Sequence, residues 1–217
     1  MSILAIISLL IIGLAFIFIN SIQAFLVNRL SNNLTPTSVM AMDQNDALDA
    51  DFTFEAVQSL SILDVLKAQA NSQNLPVIGS IVIPSVEMKL PILRGVGNEA
   101  LAVGAGTMKP EQVMGQGNYS LAGHYFENKD ILFSPLYHAK LGDKIYLTDL
   151  QAIYEYEIHV MEVIEATDVH VIDDIADSTL LTLITCAEEG TRRLLVQANF
   201  TNTYNIENPP ENLNTDW

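Results

Sequence analysis

The sequence predicts an all-β barrel or sandwich with a few short helices, preceded by an N-terminal transmembrane helix. Three observations carry that expectation. About eight short β-rich runs follow one another after Val77, divided by Gly, Pro, Asn and Asp. One of them sets Tyr154, Tyr156, Ile158 and Val160 on one parity and Glu155, Glu157 and His159 on the other, the alternation of a half-buried strand. Residues 1–28 contain no charged side chain, although the 217-residue chain holds 26 acidic against 10 basic residues and a formal charge of −16.

In chain order, the first element is the uncharged segment, residues 1–28. From Ile3 to Ile19 only Ser8 and Gly13 interrupt the apolar run, which continues through Phe25, Leu26 and Val27. As a helix, residues 3–27 reach ~37 Å, enough to cross a hydrocarbon core of ~30 Å with some tilt. A cleaved signal peptide fits less well, because its apolar region is about 7 to 15 residues long and Ile22-Gln23-Ala24 lacks the small-x-small cleavage pattern. The first charged side chain, Arg29, follows the span, so flanking charge does not orient it.

Residues 29–52 read as a polar linker, with Asn32, Asn33, Pro36 and four aspartates between Asp43 and Asp51. Residues 53–74 carry Phe54, Val57, Leu60, Leu63 and Leu66 at three-residue spacing, which predicts a helix of ~15 residues and a connection. Residues 75–202 hold the β-rich runs VIGSIVIP, EMKLPIL, ALAVGAG, YSLAGH, KIYLTD, IYEYEIHVMEVI, LLTLITC and RRLLVQANF. Short helices are expected within them at Lys109 to Met114 and Ile131 to Ala139. Residues 203–217, polar with two prolines, form a tail expected to fray.

Composition excludes several functions. An acidic surface whose longest basic block is Arg192-Arg193 lacks the counterion-release term that drives nucleic-acid binding. Cys186 is the only cysteine, so no intramolecular disulfide forms, and a structural zinc site with two or more cysteine ligands is excluded by count.

Cys186 is therefore either a buried hydrophobe or a reactive thiol. It ends the run LLTLITC, and AEEGT turns the chain into RRLLV, so Cys186 and Arg193 face each other across a hairpin. A guanidinium there can stabilise a thiolate and later an oxyanion. Among four histidines, His124 closes a strand directly after Ala122-Gly123, small residues that let a substrate backbone approach. His159 falls on a polar strand face, and His138 and His170 lie in loop-like text. Residue spacing alone leaves both the structural and the catalytic reading of Cys186 open.

The motifs go further. TLITC at Thr182 to Cys186, Arg193 directly before Leu194-Leu195-Val196, LAGH at Leu121 to His124, and the flanking GNYSLAGHYF and LFSPL together resemble a class A sortase over about Leu75 to Phe200. The resemblance implies an eight-stranded sortase-type β-barrel and a membrane-anchored cysteine transpeptidase of Gram-positive bacteria. Such an enzyme cuts a Leu-Pro-X-Thr-Gly sorting signal between Thr and Gly and transfers the secreted protein to a peptidoglycan precursor amine of the lipid II type. It implies Cys186 as nucleophile, His124 as general acid and then base, and Arg193 as oxyanion and substrate ligand. Arg192 competes with Arg193 but does not directly precede the Leu-Leu-Val triplet. The resemblance makes Thr185 a candidate second oxyanion donor through its hydroxyl, and implies Ala122, Val169, Val171, Ile172, Thr182 and Ile184 in the signal pocket, each with barrel packing as its alternative.

A Cys-His pair with ordinary pKa values holds only a minor thiolate-imidazolium fraction, which leads to a bell-shaped pH-rate profile. Some class A members bind calcium through carboxylates before the His-bearing strand. Here TMKPEQVMGQGNY offers only Glu111, so no cofactor or metal is expected and catalysis is expected to be calcium-independent. The inferred substrates place the barrel outside the cell membrane. The competing readings are an accessory or pilin-type sortase, which lacks support from a lid motif or a second apolar span, and a non-catalytic anchored β-barrel binding module.

Overall fold

A computed structural model describes residues 3–34, 52, 60–126, 130–187, 190–211 and 213, apart from the side chains of residues 4, 6, 11, 12, 14–17 and 20. Eight strands close into one barrel: β1 (Val77–Ile83), β2 (Met88–Leu93), β3 (Ala105–Thr107), β4 (Asn118–Ala122), β5 (Lys144–Thr148), β6 (Ala152–Glu165), β7 (Leu180–Ala187) and β8 (Arg192–Asn205). Their spatial order is β1-β2-β3-β4-β7-β8-β6-β5, with β5 returning to β1. β2 with β3 and β4 with β7 run parallel, and the other neighbours antiparallel.

The strands form where the β-branched and aromatic runs stand, and their inward side chains fill the interior. Ile81, Ile83, Ile92, Leu121, Leu147, Tyr156, Leu181, Leu183 and Val196 are fully buried, each stabilising the fold by roughly 1.5–3 kcal/mol relative to exposure. Tyr156 also accepts a hydrogen bond from the Gly115 N–H at 2.8 Å and meets Phe200 edge-on at 5.6 Å between ring centroids. The alternation in β6 follows its sequence parity: Tyr154, Tyr156 and Ile158 pack on the main core, while Glu155 lies on the opposite face beside its register partner Tyr146 and is buried there. There Thr201 and Tyr204 hydroxyls donate to its carboxylate and Lys144 pairs with it, which compensates its burial.

Among the described residues three α-helices flank the barrel: α1 (Ile3–Asn33), α2 (Ile62–Ala70) and α3 (Asn98–Leu101). α1 continues five residues past the expected end of the anchor, since no Gly or Pro interrupts residues 29–33. Among the described residues no helix is long and apolar enough to cross a membrane. α2 starts at Ile62 because Ser61 caps it: its hydroxyl accepts from the Asp64 N–H, and the Asp64 carboxylate accepts from the Ser61 N–H. The earlier part of the expected helix, residues 53–59, lies outside the described residues.

Three expectations change. No helix forms over Lys109 to Met114, where the Gln112 side chain instead pairs with the Ser120 backbone at both its N–H and C=O. Within Ile131 to Ala139 only a 3-10 turn, Ser134–His138, appears. The ALAVGAG run splits between α3 and the short β3. At the other end, β8 runs on to Asn205, and Leu213 is buried in a cluster with Tyr146 and Ile153, so the chain stays packed beyond residue 203.

Candidate active site

The parallel pairing of β4 with β7 brings the two motif ends together. Ala122 lies opposite Ile184, and the Gly123 N–H donates to the Ile184 carbonyl at 3.1 Å, which carries His124 past the strand end beside Thr185 and Cys186. Across the other edge of β7, Cys186 is the register partner of Arg193 on β8. One cleft of about 20 Å³ is lined by Leu101, Ala122, Gly123, His124, Ile184, Thr185, Cys186 and Arg193. The cysteine, histidine and arginine singled out by the sequence thus share a single narrow site, and Cys186 is partly accessible in it.

Local packing fixes each member. A Cβ on Gly123 would meet the Phe133 ring at 2.5 Å, so glycine is required for the aromatic ring to seat beneath His124 rather than for a substrate to approach. The Phe133 N–H donates to the His124 carbonyl at 3.0 Å, and the Tyr137 hydroxyl donates to the Cys186 carbonyl at 2.9 Å, so the segment after β4 ties both residues down. Arg193 is braced by its own turn, donating to the carbonyls of Gly190 at 2.8 Å and Arg192 at 3.0 Å. Arg192 points to β6, where it pairs with Glu165 and donates to the Val163 carbonyl. The geometry separates the two arginines, and only Arg193 lines the cleft.

Electrostatics set the resting state. Burial pushes the His124 imidazole down to about 4, while the Asp64 carboxylate on α2 opposes the shift. His124 is therefore neutral near pH 7, able to accept a proton. The Thr185 hydroxyl is buried in the same cleft and has no hydrogen-bond partner among the described residues. It is a donor waiting for an acceptor.

A wider apolar groove of about 160 Å³ adjoins the cleft and shares Ile184 and Arg193 with it. Val169 and Ile172 line it, together with Met108, Ile164, Ala166 and Phe52. Val171 and Thr182 line neither space. The Thr182 hydroxyl donates to Asn118 Oδ1 at 2.7 Å, and the Val171 carbonyl accepts from Asn118 Nδ2 at 3.0 Å and Gln197 Nε2 at 3.2 Å. Asn118 also takes the Asp173 carbonyl through Nδ2 and offers its N–H to Asp174, so it clamps the 3-10 turn Val169–Ile172 against the barrel. Lys109 adds a second clamp, donating to the Ile172 carbonyl at 3.0 Å and pairing with Asp174 at 2.8 Å. Asn118, Gln197, Lys109, Asp64 and Tyr137 were not legible as site residues, because their partners are distant in sequence and their roles are positional.

The sortase-domain family model matches residues 81–201, which contain every residue that lines the cleft. The chain belongs to the sortase family. Sortase A of Streptococcus agalactiae is 40% identical over 218 residues, covering 97% of this chain and 88% of that protein. Sortase A of Listeria monocytogenes is 41% identical over 208 residues, covering 94% and 93%. The crystal structure of Listeria monocytogenes sortase A superposes with a TM-score of 0.58 at 43% identity, over 59% of this chain and 90% of that one. Sortase E of Streptomyces avermitilis superposes with a TM-score of 0.56 at 30% identity, over 64% and 97%. This sortase is a class A member and a cysteine transpeptidase, with the eight-stranded barrel of its family.

Proposed function

We propose that this sortase cleaves a Leu-Pro-X-Thr-Gly sorting signal between Thr and Gly and transfers the threonyl carboxyl to an amine of a peptidoglycan precursor. The reading rests on one observation: the sole cysteine lies in one cleft with His124 and Arg193. In the first half-reaction, neutral His124 takes the Cys186 thiol proton as the sulfur attacks the threonyl carbonyl, then passes that proton to the glycine amine as the C–N bond breaks. A thioester then conserves the acyl energy without ATP. In the second, the acceptor amine attacks the thioester, His124 removes its proton, and that proton goes to the departing sulfur, which restores the thiol and neutral His124. The Arg193 guanidinium and the Thr185 hydroxyl hydrogen-bond the oxyanion of each tetrahedral intermediate. Ala122, Ile184, Val169 and Ile172 take the apolar part of the signal.

The anchor reading adds that residues 1–28 cross the cell membrane once, with the barrel external, where secreted proteins and wall precursors are found. Calcium-independent catalysis is supported by Lys109, whose ammonium already bridges the two loops that a bound cation would otherwise draw together. A binding module is the weaker reading, because a buried, unpartnered hydroxyl beside an accessible thiol fits an oxyanion better than a structural core. The test is incubation of the full chain with a Leu-Pro-X-Thr-Gly peptide and an amine: wild type gives the Thr-amine conjugate and Cys186→Ala gives none.

A further inference from the structure

Two exposed tyrosines stand beside the catalytic residues and line neither the cleft nor the groove. Tyr125 directly follows His124, and the Tyr137 hydroxyl donates to the Cys186 carbonyl at 2.9 Å. Their rings meet with centroids 5.0 Å apart and planes tilted by 55°, within the range at which aromatic pairs attract. Tyr125 is 39% exposed and Tyr137 41%, so each ring braces the other and still offers apolar surface to solvent. The backbone behind Tyr125 is fixed as well, because the Ser134 hydroxyl accepts from the Phe126 N–H at 2.7 Å and donates to the Phe126 carbonyl at 3.1 Å.

Their place along β7 indicates which half of the reaction they serve. The apolar groove borders Ile184, ahead of Cys186 in the strand, and extends to the turn Val169–Ile172. The tyrosines lie past the nucleophile, against the Cys186 carbonyl and beside His124. A signal whose apolar part fills the groove brings its scissile carbonyl to Cys186, and its bond to glycine then points away from the groove, toward His124 and the tyrosines. Glycine leaves on that side. The acceptor amine enters where glycine left, because the same imidazole handles the proton of both.

The chemistry of the rings selects the ligand. A cation–π contact with them favours the protonated amine, which has no lone pair for attack, so the productive contact is with the carbon stem behind the nitrogen. Amine-bearing stems of about three or four methylenes lie along apolar surface in this way while the head keeps a polar setting. A short amine reaches the thioester with nothing to rest on the rings. We propose that Tyr125 and Tyr137 form the acceptor platform of this transpeptidase and select a primary amine borne on an unbranched methylene stem, as in the side chain of a diamino acid. The rings hold the stem while the nitrogen attacks the thioester carbonyl and His124 takes its proton. The new C–N bond forms, the C–S bond breaks, and the proton passes to the departing sulfur. The inference rests on the proposed transfer to an amine and specifies the chemistry of that acceptor.

The test acylates the full chain with a Leu-Pro-X-Thr-Gly peptide and follows discharge of the thioester by pentylamine and by ethylamine, two probes of nearly equal basicity that differ in stem length. Wild type is expected to show a kcat/KM for pentylamine about tenfold above that for ethylamine, expressed in KM, the factor that burial of roughly two methylenes supplies. Tyr125→Ala and Tyr137→Ala are expected to bring that ratio near unity by raising the KM for pentylamine. Tyr137→Phe keeps the ring, loses the bond to the Cys186 carbonyl and is expected to retain the ratio. Any loosening of Cys186 or His124 in a variant slows both amines alike, so the ratio reads the platform and not its support of the backbone. A ratio near unity in wild type, one that survives both alanine variants, or one lost in Tyr137→Phe overturns the platform. Failure of wild type to form a thioester overturns the proposed reaction and the platform together, whereas a thioester discharged equally by both amines overturns the platform alone.

Discussion

Replacing His124 with glutamine removes a side chain that burial keeps neutral, and the pH dependence of stability reads that directly. The imidazole stands at about 4 in the folded chain against an ordinary 6.5. Between those values the unfolded chain binds a proton that the folded chain does not. The contribution of His124 is thus undiminished above pH ~6.5, is lost as pH falls, and changes no further below ~4. A gap of about 2.5 units corresponds to on the order of 3 kcal/mol, or roughly 6–12 °C in midpoint for a chain of this size. Carboxylates add their own acid loss, but they are common to both proteins, so the quantity of interest is the difference between wild type and His124→Gln. Denaturant unfolding of both, followed by circular dichroism at pH 7 and pH 4, measures it. Wild type should lose about 3 kcal/mol more than the variant. Equal losses would show that His124 is solvated in the native state and would refute the account of its neutrality.

Other outcomes follow from the same geometry. The acid limb of the kcat/KM profile should lie near pH 4 rather than near the ordinary imidazole value, read from initial rates over a pH series at substrate well below KM. Arg193→Lys should lower kcat by about 10²–10³-fold through loss of oxyanion hydrogen bonds, while Arg192→Lys, whose contacts to Glu165 and Val163 lie on β6 outside the cleft, should stay within a few-fold of wild type. Gly123→Ala should lower kcat with the chain still folded, because the added methyl displaces Phe133 and with it His124; circular dichroism and activity together check this. Millimolar calcium should leave the wild-type rate unchanged, and Lys109→Met should raise KM more than it lowers kcat by loosening the turn Val169–Ile172.

Much of this molecule was legible in its sequence. The β-branched runs marked the strands because burial inside a closed barrel demands them, and the hairpin from Cys186 to Arg193 followed from the length of its loop. The pairing of β4 with β7 was not legible from local pattern, since parallel neighbours are joined by long connections. The residues at their ends came together through the family resemblance. Gly123 was recognised as special for the wrong reason, because what fills the space above it is Phe133, ten residues on. Thr182 and Val171, expected in the signal pocket, line neither the cleft nor the groove and bond instead to Asn118, in a polar network whose partners are more than fifty residues apart for Asn118 and Val171. The docking of α1 was hidden too, because residues 29–34 read as polar linker, and the spacing of Ala24, Val27, Leu30 and Leu34 straddles that boundary.

The central claim is that Cys186 carries the acyl group, and intact-mass analysis during turnover tests it most directly. With a Leu-Pro-X-Thr-Gly peptide and no amine, wild type should gain the mass of the peptide truncated after threonine, located on Cys186 and released by hydroxylamine. Added amine should discharge it to the conjugate. Conjugate formation by Cys186→Ala, or steady turnover of wild type with no hydroxylamine-sensitive adduct under single-turnover conditions, would contradict the claim.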